Sequence, residues 1–345
     1  MKAKYLFFCL FISTASFAND KSFYDGRFNF IQEYITELKK YQKEDINYRG
    51  AVVESLSGSF FVAFNKRSQS EVDQEALEIC VKKNEKKCKV RFQSLNINTS
   101  YNRLATYNVN KKILEVGSRE IPSALLNTYK GITFVKSVSN FKKKDFTCEK
   151  NTLNYDFVVG IISSQIDLYP QSFLRKAGLN YVMICDNISA SGFPSPAGLA
   201  PSHYDQSPGV FFLSLKKIKK LNDSGKVNMI KHLFHHEFYH IIDSTLTKAV
   251  VDEEWLKINQ YPYSNKNLKA NFSEVLDNQK GFVSNYAKNN EFEDKAEVFA
   301  YLITKHQETK KILSKDKILL KKAKLMIKRM KSLSPDINSS FWSKL

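Results

Sequence analysis

The run Lys231–Ser244, KHLFHHEFYHIIDS, constrains this chain more than any other stretch. It sets His236, Glu237 and His240 in an H-E-x-x-H pattern. Val227, Ile230, Leu233, Phe234, Phe238, Ile241 and Ile242 recur at helical spacing with no Gly or Pro among them, so the run reads as a helix. On a helix, residues four apart share a face. Two imidazoles then meet as a tetrahedral zinc requires. Glu237, one step further round, stands where a general base for a metal-activated water belongs, not a ligand. The plainer alternative is a core helix carrying hydrogen-bonded histidines.

A catalytic zinc keeps three protein ligands and one position for water, so a third ligand is expected on a second helix packed against the first. The segment 281–304, GFVSNYAKNNEFEDKAEVFAYLIT, carries Glu293 and Glu297 one turn apart, with Tyr286 seven residues before Glu293. Here the chain resembles the gluzincins, zinc peptidases whose third ligand is a glutamate followed four positions later by an acidic residue. Within them it is similar to the branch of anthrax lethal factor and the clostridial Pro-Pro endopeptidases, which adds a tyrosine seven residues before the ligand. The resemblance spans residues 156–333 at most. It implies an α+β, zincin-like catalytic domain: a small sheet, the H-E-x-x-H helix and a second, glutamate-bearing helix. It also implies His236, His240 and Glu293 as zinc ligands, Glu237 as general base, Glu297 as the carboxylate orienting His236, and Tyr286 as the residue assisting the transition state. Each role is physically sound. A metal-bound histidine usually gives its other N–H to a carboxylate, and a phenol near the metal can donate to a developing oxyanion. Asp294 or Glu297 remains an alternative ligand. The EFED stretch also suits a solvated first helical turn, and Tyr286 a packing role.

The first residues, MKAKYLFFCLFISTASFAND, read as a signal peptide over residues 1–18. Lys2 and Lys4 precede an apolar run from Tyr5 to Ile12, and Ser16-Phe17-Ala18 suits a cleavage site that makes Asn19 the mature N-terminus. The apolar run, which contains Cys9, is too short to span a membrane, and no other stretch approaches a span. The mature chain is therefore expected to be soluble and exported, periplasmic or secreted. Cys80, Cys88, Cys148 and Cys185 remain after the leader, an even number that favours disulfides and allows three connectivities. Cys80–Cys88 is favoured for proximity and Cys148–Cys185 by elimination. Free buried thiols are the alternative, and without a C-x-x-C a cysteine zinc site is disfavoured. The formal charge of +18 is spread over scattered lysines without aromatic interleaving, so no nucleic-acid partner is expected. Weak association with an anionic envelope surface is the residual suggestion of that charge.

Along the chain, Asn19–Lys43 reads as a helix, Gly50–Val53 and Ser59–Phe64 as strands, Ser68–Cys80 as a helix and Cys88–Phe92 as a strand. The part from Phe60 to Phe92 resembles small bacterial exported modules in which a disulfide ties a helix end to the next strand. That resemblance implies no catalytic residue. Residues 19–145 are then an accessory α/β domain and 146–345 the catalytic one, with the boundary placed near Asp145. Phe157–Ile162 reads as a strand. Pro170 opens a helix that ends at Gly178, and Tyr181–Cys185 is another strand. Residues 187–209 form a long loop rich in Ser, Gly and Pro, with His203 read as an ordinary loop histidine in preference to a substrate contact. Gly209–Leu215 is a strand just before the zinc helix. In the resembled family an edge strand here binds extended substrate, which implies Gly209, Val210, Phe211 and Phe212 as substrate-binding positions. His232 and His235 flank the motif; each is a candidate for supporting it, with a structural or exposed role as the default. Asp252–Lys280 links the site helices and suits a specificity loop or lid. Lys310–Lys331 is an amphipathic helix with lysines on its polar face, read as packed on the catalytic domain in preference to lying on a membrane.

These readings converge on an exported zinc endopeptidase with one catalytic Zn2+, acting on protein or peptide substrates. The rivals are a non-catalytic zinc- or partner-binding protein on a peptidase fold and a zinc amidase acting on cell-wall material. Glu237 and Tyr286 argue against the first rival, because neither is needed merely to hold zinc.

Overall fold

The computed structural model describes residues 23–55, 60–83, 85, 87–94, 96–97, 105–116, 119–143, 146–150, 155–190, 196–200, 209–247, 251–264 and 280–345. The expected leader with Cys9, His203 and most of the loop around it, and Asp145 lie outside the described residues. The chain divides between Tyr101 and Asn102 into two compact units.

The smaller unit contains α1 (Phe23–Glu44), β1 (Arg49–Glu54), β2 (Phe60–Asn65), α2 (Gln69–Lys82), β3 (Lys89–Gln93) and β4 (Asn96–Ile97). Its antiparallel sheet has the order β2-β1-β3-β4. Successive strand side chains point to opposite faces, and both faces of β1 are covered. Ala51 and Val53 pack with Val72, Ala76 and Cys80 of α2. On α1, Tyr34 stacks on Phe64 and Phe92. A capping box between Ser68 and Glu71 starts α2, and the Cys80–Cys88 disulfide ties its last turn to the approach to β3.

The larger unit begins with strands. These are β5 (Thr106–Asn108), β6 (Ile113–Val116), β7 (Arg119–Tyr129), β8 (Ile132–Ser137), β9 (Phe141–Lys143) and β10 (Phe146–Cys148). Then come α3 (Tyr155–Ile166), α4 (Gln171–Ala177), β11 (Tyr181–Cys185), β12 (Ile188–Ala190), β13 (Gly198–Leu199), β14 (Val210–Ser214) and α5 (Leu215–Ile218). The rest is helical: α6 (Asp223–Leu246), α7 (Glu253–Ile258), a 3-10 turn at Tyr286–Lys288, α8 (Glu291–Thr304), α9 (His306–Leu313), α10 (Lys317–Leu333) and α11 (Ser339–Ser343). The main sheet runs β13-β14-β11-β8-β7-β6-β5. Its three inner strands β14, β11 and β8 are parallel, and β13 turns antiparallel at one end. A small second sheet, β12-β10-β9, is joined to the main one by the Cys148–Cys185 disulfide. Both favoured cysteine pairings are thus formed. Among the described residues no helix is long and apolar enough to cross a membrane.

Three expectations are corrected. Because β5–β8 hydrogen-bond in one sheet with β11 and β14, the chain divides at residue 101 and not near Asp145. The Phe157–Ile162 strand is instead part of α3, whose buried residues Val158, Ile162, Gln165 and Ile166 recur at helical spacing while Phe157 is exposed. Finally, Gly209–Phe212 is not an edge. β14 pairs with β11 on one side and β13 on the other, and Val210, Phe211 and Phe212 lie buried in the core. Phe211 packs on Phe234 of α6, and Phe212 on Phe146.

Behind the sheet, α6 is the central helix. Asn222 caps its start by accepting from Gly225 N at 2.8 Å. Phe234, Phe238, Ile241 and Ile242 are fully buried, each worth ~1.5–3 kcal/mol relative to exposure. α8 packs along α6, and α3 and α4 pack against it too. As the sequence suggests, α4 follows Pro170 and stops at Gly178, which takes the left-handed conformation at φ 82°.

Candidate metal centre

Three ligand atoms converge where α6 meets α8. His236 Nε2 lies 3.3 Å from His240 Nε2 and 3.0 Å from Glu293 Oε2, which is 3.7 Å from His240 Nε2. Zinc at 2.0–2.1 Å from each tetrahedral ligand sets its ligand atoms roughly 3.3–3.4 Å apart. The three separations bracket that edge. Glu293 Oε2 is buried and has no hydrogen bond of acceptable geometry despite its nearness to both imidazoles. Three lone-pair atoms facing one point, one of them an orphaned carboxylate oxygen, fit a cation. Two nitrogens and a carboxylate oxygen are a donor set that suits zinc.

The supporting residues fix which nitrogen faces inward. Glu297 Oε1 lies 2.8 Å from His236 Nδ1, leaving Nε2 toward the centre. The same oxygen is 2.9 Å from His232 Nε2, and Ser284 Oγ donates to Glu297 Oε2 at 2.6 Å. His232 sits four residues before His236 on the same helical face; its partner could not be read from that spacing. Asp294 is turned away from the centre, onto Lys322. His235 is also turned away, buried against Tyr169 and Gln165 at 2.7 and 3.1 Å, and burial pushes its imidazole down to about 3.

Glu237 faces β13. Its Oε2 accepts from Ala200 N at 2.7 Å. A Cβ at Gly198 would lie 2.6 Å from Glu237 Oε1, so this strand approaches the carboxylate only because position 198 has no side chain. Burial raises the Glu237 carboxyl above its ordinary range, despite the opposing pull of His236 and His240. Burial also penalises Glu293, but the two imidazoles outweigh it and draw the carboxyl down to about 2. Burial likewise opposes charge on His236, yet Glu293 and Glu297 together raise it well above the usual imidazole range. The Tyr286 ring centroid lies 5.7 Å from that of His236. Its phenol is pushed well up by burial and then by the charges of Glu293, Glu237 and Glu297, so it stays protonated and able to donate.

The other side of α8 holds it in place through buried charge. Lys295 Nζ, fully buried, lies 2.6 Å from Asp243 of α6, 3.1 Å from Glu291 and 3.5 Å from Asp252. Asp252 also pairs with Arg329 of α10. Lys322 of α10 lies 2.6 Å from Asp294, which accepts from Trp255 Nε1 at 2.9 Å and Tyr263 OH at 2.8 Å. For that pair burial is the dominant influence on both partners, pushing the carboxyl up and the ammonium down. Neither Gly198 with Ala200 nor Ser284 carries a sequence signal: the first two lie in a Gly/Pro-rich loop, and Ser284 precedes its helix.

Residues 204–334 match the model of a family described as "Putative zinc-binding metallo-peptidase". That span holds every imidazole and carboxylate of the centre. No curated protein and no solved structure matches the chain. The family match and the donor set together support a zinc metallopeptidase.

Proposed function

We propose that this chain is an exported zinc endopeptidase of the gluzincin type, similar to the lethal factor and Pro-Pro endopeptidase branch. The carrying observation is the convergence of His236 Nε2, His240 Nε2 and Glu293 Oε2 beside a buried Glu237 carboxylate. His236, His240 and Glu293 would hold one zinc. When bound, the metal acidifies water and polarises a carbonyl. Glu237 accepts the proton of the attacking water and returns it to the leaving amine; its raised pKa suits both halves of that task. Tyr286 donates to the oxyanion as negative charge develops. Glu297 holds the His236 ring with Nε2 inward. Substrate pairs in extended form along β13, which among the described residues has a strand neighbour only on its β14 side. Export is supported by the leader-like first 18 residues and by two disulfides.

The test is cleavage of a peptide library read by mass spectrometry. The samples are the chain from Asn19, the same chain with chelator, and Glu237→Gln. Cleavage by the untreated chain alone, with zinc retained in Glu237→Gln, is the expected result. A chain that binds no zinc refutes the assignment, and one that cuts equally well with chelator or with Glu237→Gln refutes the mechanism.

A further inference from the structure

The polar face of α10 has a regularity that the metal centre does not use. Lys317, Lys321, Lys324, Lys328 and Lys331 follow one another at alternating steps of four and three. At 100° per residue these five fall within an arc of about 80°, and at 1.5 Å per residue they extend over about 21 Å. All five are exposed, and among the described residues none has a side-chain partner. Lys310, Lys311 and Lys315 add three more exposed ammoniums just before the row. From residue 309 to 335 no acidic side chain is exposed. The one acid there, Asp316, is half-buried and caps α10 by accepting from Ile318 N and Leu319 N.

Three acids packed against the helix are taken by its own cations. Lys322 pairs with Asp294, and Arg329 with Asp252 and Glu254. The opposite face of the helix, Leu319, Ala323, Met326 and Met330, is buried in the core. The helix therefore cannot roll, and its row of charge is fixed outward.

We infer that this row is a docking surface for an anionic phospholipid bilayer, adsorbed through charge alone. Its features match a lipid surface better than a folded partner. Lysines are depleted in protein–protein interfaces, whereas each lysine near an anionic membrane adds a similar increment of attraction. No aromatic or arginine lies in the row to stack on bases or fork onto phosphates. The apolar face is engaged in the core, so nothing inserts, and adsorption is reversed by salt.

The experiment is flotation of the full chain with lipid vesicles. Phosphatidylcholine vesicles with about 30% phosphatidylglycerol are compared with pure phosphatidylcholine, in about 50 mM and about 500 mM salt. One variant carries Lys→Gln at positions 317, 321, 324, 328 and 331. A second carries Lys→Gln at 111, 142, 176, 216 and 220, which are exposed and off the row. The two lose equal charge. Binding is expected only to the anionic vesicles at low salt. The row variant is expected to lose at least about 30-fold in affinity and the off-row variant no more than about threefold. Both should melt with the wild type; if the row variant does not, changing 317, 324 and 331 alone should give a graded loss. Equal losses in the two variants, binding to neutral vesicles, or binding that survives high salt would overturn the inference. So would a wild type that ignores vesicles while binding a DNA duplex through the same row.

Discussion

Lys295→Met takes one ammonium from the interior and leaves three carboxylates around the gap. Methionine keeps the length and apolar stem of the side chain, so packing along α8 is preserved and the change is chiefly electrostatic. Asp252 retains Arg329, but Asp243 and Glu291 lose the cation that lies 2.6 and 3.1 Å away. Removing one partner of a buried ion pair costs ~3–5 kcal/mol. With two carboxylates affected, the upper part of that range is expected. In a unit of this size a kilocalorie moves the midpoint by about 2–4 °C, so melting should fall by roughly 8–20 °C. Both tryptophans, Trp255 and Trp342, lie in the larger unit, so their fluorescence follows its unfolding without interference from the smaller one. The defect should also shrink as pH falls. Burial already raises the Glu291 carboxyl and Lys295 opposes that rise. Without Lys295 the group binds its proton at higher pH in the folded state than in the unfolded one, so acid stabilises the variant relative to its state at neutral pH. Adding Asp243→Leu should restore a large part of the loss. A single variant within about 1 kcal/mol of wild type at neutral pH would refute the claim that this ammonium anchors α8.

Glu297→Gln should weaken zinc binding about 10–100-fold by competition titration while leaving one zinc per chain at saturation. Gly198→Ala should lower kcat/KM while zinc affinity stays near wild type, because the added Cβ meets Glu237 and not a metal ligand; unchanged kcat/KM would show that Glu237 does not need its place against β13. Replacing Cys148 and Cys185 together by serine should cost ~2–4 kcal/mol in urea unfolding, with no effect under reducing conditions.

The H-E-x-x-H helix was legible because its signal is local: a 3.6-residue apolar period, an uninterrupted run and two histidines one turn apart. The amphipathic α10 was legible for the same reason, but the expected Lys310–Lys331 helix is interrupted: Lys310–Leu313 close α9, and Asp316 caps a new helix from Lys317. The run of Phe, Val and Ile at the start of α3 misled because β-branched residues favour strands on their own. Packing on α6 decided for helix, and only one side of the segment is buried. The edge strand was illegible for a different reason. β13 has two residues, too few for any period, and it becomes an edge among the described residues only when the chain returns antiparallel to β14. The division at residue 101 depends on β5–β8 finding β11, a pairing between distant segments that composition does not encode. His232 lay in plain view, but its value depends on sharing one oxygen of Glu297, 65 residues away.

The stretch joining α7 to the 3-10 turn is clasped at both ends. Tyr263 OH reaches Asp294 at 2.8 Å, Ser264 N donates to Lys288 O at 2.7 Å, and Gly281 N is held by Asp316 at 2.5 Å. Residues 264 and 281 are thus each tied to the helical body independently of what joins them. Loop-closure entropy grows only slowly with length. A change in the number of residues between these two anchors is therefore expected to leave His240 and Glu293 in place. In evolutionary terms the two anchors let the length between them vary without rebuilding the centre itself.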